Sequence, residues 1–130
     1  MTVHAMIDLE TFGTNPDCVI TSMGAIKFSP FNDEEPHDPL YIKAEVEQQT
    51  EMGRTIDDST MAWWAKQDSK VRDEAFSEDG RINLEEMTTQ LNKFLVGVDK
   101  IWCQGPAFDM VILEDLYKQL GKPTPWQFWQ

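Results

Sequence analysis

Three carboxylates stand where chemistry is possible. Two lie in His4-Ala5-Met6-Ile7-Asp8-Leu9-Glu10-Thr11-Phe12-Gly13-Thr14, at the end of an apolar run that reads as a strand; the third is Asp109, in QGPAFDMVILEDLYKQL. Side chains alternate faces along a strand, so Asp8 and Glu10 point the same way with Cα atoms roughly 6.5–7 Å apart. Like charges so close to a core are unfavourable unless a cation offsets them. Asp109, Ile112, Leu113, Leu116 and Leu120 share one helical stripe, which aims Asp109 at the core from the first turn of its helix. A charged side chain aimed inward needs a partner. Three carboxylates converging on hard divalent ions would suit in-line phosphoryl chemistry with a pair of Mg²⁺ or Mn²⁺ ions. Blander readings stand beside this one. Asp8 and Glu10 also fit a strand end with solvated acids, and Asp109 fits an acid favoured by the helix dipole.

The elements that must position these residues can be read in order. Residues 3–9 form a first strand, residues 13–17 a turn, and residues 18–28 a second, antiparallel strand. The acidic, proline-bearing stretch 29–38 is a solvated loop, and residues 39–46 resume a strand, which makes a three-stranded meander. Asp57-Asp58-Ser59-Thr60 starts a helix that carries Trp63 and Trp64. A second helix covers 83–96, with Asn83 as its cap and Glu86 three residues on. Its face of Leu84, Met87, Leu91, Phe94 and Leu95 belongs in the core. Residues 100–103 are a short strand, and Gly105-Pro106 opens a third helix that ends near Gly121. The order βββ, αα, β, α predicts an α/β fold, a mixed sheet flanked by helices, as a single domain over residues 1–130.

Composition narrows the function classes. A net charge of −12 over 130 residues argues against gripping long nucleic acid by phosphate neutralisation, and it suits an acidic mimic of nucleic acid. No apolar run reaches membrane-span length and no leader is evident, so the expectation is a cytoplasmic protein with no membrane partner. Cys18 and Cys103 are too far apart for a metal or redox pair and read as small core residues. The chain has no GxxxxGK phosphate loop and no GxSxG elbow.

MIDLETFGTNPDCVITSMGAIKF resembles the first motif of the DEDD superfamily of 3′→5′ exonucleases, the RNase T-like group with an RNase H-like fold. IWCQGPAFDMVILEDLY resembles the second motif, and STMAWWAKQDSKVR resembles the spacer of small phage and bacterial members. The resemblance implies that Asp8, Glu10 and Asp109 are the catalytic acids and hold two Mg²⁺ or Mn²⁺ ions. It implies a single-stranded nucleic-acid 3′ end as the partner, with DNA and RNA both open, and it allows a homodimer. Thr11 would hydrogen-bond the terminal sugar. Phe12 would stack on a base, or serve only in packing. Of the two adjacent tryptophans one belongs to the core, and Trp64 is the candidate nucleic-acid contact. The family's third motif, a His or Tyr followed by an Asp on a later helix, finds no counterpart. The only histidines, His4 and His37, do not match it. The expectation is therefore the N-terminal two-thirds of the fold, either a fragment or a short form, with reduced turnover. Trp126, Phe128 and Trp129 look like the start of something that continues. Two further readings remain: a binding module that holds an end without cutting it, and an acidic decoy for a basic protein.

Overall fold

The computed structural model describes residues 2–127, 129 and 130. Its centre is a five-stranded sheet in the order β4-β3-β2-β1-β5. Strand β1 (His4–Thr11) pairs antiparallel with β2 (Ile20–Phe28), and β2 pairs antiparallel with β3 (His37–Ala44), which is the expected meander. Strand β5 (Lys100–Trp102) adds in parallel on the other side of β1. A two-residue strand, β4 (Arg81–Ile82), adds in parallel to β3 and extends the sheet beyond what the sequence pattern suggested.

Alternation along the strands sorts the two faces. Ala5, Ile7 and Leu9 of β1, Met23 and Ala25 of β2, and Ile42 of β3 turn inward and are buried. They pack on helix α4 (Leu84–Phe94) and helix α5 (Pro106–Gln119) through Leu84, Met87, Leu91, Leu113 and Leu116. Helix α4 starts where expected: Asn83 Oδ1 accepts from the Glu86 backbone N–H at 2.8 Å. This cap is worth about 1 kcal/mol. Ile112, Leu113 and Leu116 of the α5 stripe are buried as their spacing predicts, Leu120 beyond the helix end is half-buried, and Asp109 is buried with them, 4% exposed.

The intervening residues of β1 and β2 face the opposite side, which is covered at one end only. Helix α2 (Asp58–Ala65) and helix α3 (Ser69–Phe76) close that end over a smaller cluster of Phe12, Val19, Trp64 and Ala75. Helices α1 (Val46–Glu51) and α3 were not legible as separate elements. In α1 the buried anchor is polar: Gln49 accepts from Ile20 N–H at 2.8 Å and donates to Ile20 C=O at 2.7 Å, which replaces strand pairing at the end of β2. No apolar periodicity marks such a helix. For α3 a signal existed, since Asp68 caps it by accepting from Lys70 N–H at 2.8 Å.

Of the aromatic residues near the end of the chain, Trp126 is buried edge-on against Tyr117, and Trp129 is exposed. The expected exposed aromatic cluster is thereby reduced, and Phe128 lies outside the described residues. Cys18 is buried and Cys103 half-buried; both are free. No helix among the described residues is long and apolar enough to cross a membrane.

Candidate active site

Asp8 and Glu10 lie on the open face of β1, both exposed, while Ile7 and Leu9 on either side of Asp8 point into the core. Across the ladder Asp8 faces Gly24 and Glu10 faces Ser22, so no bulky side chain on β2 crowds either acid. Directly after Glu10 the ladder slips: Glu10 pairs with Ser22 but Thr11 pairs with Ile20. The extra residue, Thr21, makes a bulge, a device that re-aims side chains where a strand ends beside a site. Thr21 is fixed by donating its hydroxyl to Ala75 C=O at 2.9 Å. Asp109 approaches from the first turn of α5, which Gly105 opens by accepting the Asp109 backbone N–H at 2.9 Å.

Electrostatics tie the three acids together. Burial and then the Asp8 charge push the Asp109 carboxyl up to about 6. Burial, then Asp8, then Asp109 raise that of Glu10. The Cys103 thiol, at the end of β5, is pushed up to about 11 by burial and by the same Asp109 and Asp8 charges, so it sits beside them. Among the described residues no base forms an ion pair with Asp8, Glu10 or Asp109, and no side chain donates to their carboxylates. The site is a concentration of uncompensated negative charge. Among the described residues no three His, Cys, Asp or Glu side chains are gathered tightly enough to enclose a metal ion by themselves.

The other anticipated residues form the wall behind these acids. Thr11 is buried; its hydroxyl donates to Gly13 C=O at 2.8 Å, and its own C=O accepts the Trp64 indole N–H at 2.8 Å. Phe12 is buried, stacked on Phe76 at 5.5 Å and edge-on to Trp64 at 6.4 Å. Trp64 is only 4% exposed, whereas its neighbour Trp63 is 54% exposed and meets it edge to face at 4.9 Å. Of the two adjacent tryptophans, Trp64 is thus the core one and Trp63 presents the free ring. Neither histidine stands at the acids. His4 lies four residues before Asp8, roughly 13 Å along the strand, and its Nδ1 accepts the Trp102 indole N–H at 2.8 Å. His37, exposed at the start of β3, pairs with Lys27.

Two clefts flank Glu10. One, of about 430 Å³, lies between β2, β3 and the α2–α3 pair. The other, of about 400 Å³, runs along the Thr11–Thr14 turn toward Phe108. Trp63, Trp64 and Glu10 border both. Tyr41, Glu74 and Lys70 line the first, and none of them was singled out by sequence. The usable signal was strand alternation, which puts Tyr41 on the same face as Asp8.

The mixed sheet, with an exposed acid pair on β1 and a third acid in the first turn of α5, is in keeping with the DEDD class of 3′→5′ exonucleases. Solved structures of E. coli exonuclease I share this fold. Its complex with a dT13 oligonucleotide superposes with a TM-score of 0.63 at 17% identity, over 98% of this chain and 26% of that one. The zinc-bound form of its complex with single-stranded DNA gives a TM-score of 0.64, also at 17% identity. The chain belongs to the family described as the 3′-5′ exoribonuclease Rv2179c-like domain, whose model matches residues 3–130. The exodeoxyribonuclease of Enterobacteria phage T4 is 28% identical over 129 aligned residues, which cover 90% of this chain and 56% of that protein. The chain thus spans about half the length of this curated relative.

Proposed function

We propose that residues 1–130 form one exonuclease domain that removes nucleotides from the 3′ end of single-stranded nucleic acid with the help of divalent cations. The observation that carries this reading is the trio Asp8, Glu10 and Asp109. These are hard oxygen donors; besides burial, the Asp8 charge raises the proton affinity of Glu10 and Asp109, and none of the three has a cationic partner among the described residues. Their donor chemistry fits Mg²⁺ or Mn²⁺. Because three acids do not enclose a single point here, water must complete the coordination shell, a condition Mg²⁺ tolerates better than most ions. When bound, such ions neutralise phosphate charge and activate water for in-line displacement.

The chain's own side chains supply the rest. Asp8 and Glu10 hold their spacing because β2 pairs with β1 through both of them, while β5 anchors the start of β1 at His4–Met6. The Thr11 and Trp64 hydrogen bonds fix the turn behind Glu10. Trp63 offers an exposed ring on which a base of any identity can stack. With a net charge of −12 the domain repels phosphate, so binding depends on the cations rather than on basic side chains.

A second reading is a module that holds a 3′ end without cutting it. It is favoured by the absence of a histidine at the acids among the described residues, because a missing general base costs about 10²–10⁴ in rate. One experiment separates the two. Single strands of DNA and of RNA labelled at the 5′ end are incubated with the protein and Mn²⁺. Stepwise shortening from the 3′ end, abolished by Asp8→Asn, supports the exonuclease. Mn²⁺-dependent binding without shortening supports the module. Internal cleavage, or shortening that survives Asp8→Asn, overturns the assignment of the site.

A further inference from the structure

The open face of the sheet carries a second group of side chains that the acid trio does not use. Tyr41 pairs across the ladder with Gly24, which faces Asp8, so Tyr41 stands two strands from Asp8 on the same face. Its hydroxyl donates to Glu74 Oε1 at 2.9 Å. The Lys43 ammonium, itself buried, lies 3.4 Å from the same oxygen. Glu74 comes from α3 and shares a helix face with Lys70, which lines the same cleft. One carboxylate oxygen of Glu74 is therefore fixed twice, from the phenol and from the ammonium. The other has no partner among the described residues, and the side chain is 56% exposed. The cleft that Glu74 lines has a volume of about 430 Å³ and is bounded by the exposed Trp63 and by Glu10. That volume lies within the range of sites for ligands of nucleotide size.

We propose that Glu74 reads the base of the nucleotide seated beside Glu10, favouring adenine, cytosine and guanine over uracil and thymine. The inference rests on the exonuclease reading and adds base selectivity to it. Stacking on Trp63 is blind to sequence, because every base has a π-face. Discrimination needs a fixed polar group, and an ionised carboxylate can only accept. The exocyclic amino groups of adenine, cytosine and guanine point N–H donors at such an acceptor. The edge of uracil or thymine presents carbonyl oxygens on both sides of its single N–H, and these meet the carboxylate with lone pairs. Tyr41 acts as a positioning residue. With its hydroxyl bonded to Oε1, the free oxygen is held in one place and discriminates geometrically. A contact that merely tied α3 to β3 would leave base preference untouched.

The test uses 5′-labelled hexanucleotides that differ only in the three bases at the 3′ end, all A, all C or all T. Shortening is followed in Mn²⁺ and binding by anisotropy in Ca²⁺. The wild-type protein is expected to favour the A and C strands over the T strand on the order of tenfold. Glu74→Gln, whose amide adds N–H donors that can meet a carbonyl, is expected to erase or reverse that order. Tyr41→Phe is expected to reduce it several-fold. Equal use of all strands by the wild type, or an unchanged order in Glu74→Gln, overturns this proposal and leaves the exonuclease reading standing. Failure to bind or shorten any strand overturns both.

Discussion

Replacing Asp109 by asparagine is expected to stabilise the metal-free protein near neutral pH. In the folded chain the carboxyl keeps its proton up to about pH 6, because burial and the Asp8 charge oppose ionisation; in the unfolded chain it keeps it only to the ordinary 3.8. The folded state thus holds more protons between these values. Stability falls as pH rises through that window and stays reduced above it, the reverse of a carboxylate held by a base. The gap is worth about 3 kcal/mol at most. Asp8, whose charge supplies part of the shift, is exposed and screened by solvent, so about 1–2 kcal/mol is the realistic gain. Urea unfolding in EDTA should show Asp109→Asn more stable than wild type by that amount near pH 7.5. The difference should shrink to a few tenths of a kcal/mol near pH 3.5, where aspartate is mostly protonated in both states. Saturating Mn²⁺ should reverse the order, since an ion that binds only the folded wild type stabilises it by mass action. A loss of stability in EDTA at pH 7.5, or a gain that does not change with pH, would refute the idea that Asp109 is an uncompensated acid.

Three further outcomes follow from contacts away from the acids. Arg54 is buried and ties four places together, donating to Cys18 C=O, Pro16 C=O, Asp115 and Gln119; Arg54→Met should cost about 3–5 kcal/mol in urea unfolding, because it strands these acceptors. Trp64→Phe keeps a ring in the small cluster but loses the bond to Thr11 C=O, and about 1–2 kcal/mol of stability should go with it. Gly13→Ala would place a Cβ 2.7 Å from Cys18 Cβ, so thermal melting should show a loss of about 1–3 kcal/mol.

Much of what positions the site was legible. Strand alternation put Asp8 and Glu10 on one face, and helical spacing put Asp109 with the buried leucines, because both follow from backbone periods that tertiary context seldom alters. The cap at Asn83 and the glycine-proline start of α5 were local signals of the same kind. What escaped depends on long-range pairing. Helix α1 is held by the Gln49 amide against Ile20, and β4 by two residues of parallel pairing to β3; neither leaves an apolar pattern. The choice between Trp63 and Trp64 turned on where α2 lies over Thr11, 53 residues earlier, which no local rule specifies. Glu74 and Tyr41 meet across 33 residues for the same reason.

Asp8, Glu10 and Asp109 are proposed to act as one divalent-cation site. Calorimetric titration of Mn²⁺ into the wild type, Asp8→Asn and Asp109→Asn tests it most directly. Saturable binding to the wild type, weakened at least tenfold by either substitution, is the expected result. Binding that both variants retain at full strength, or no binding to a folded wild type, would contradict it.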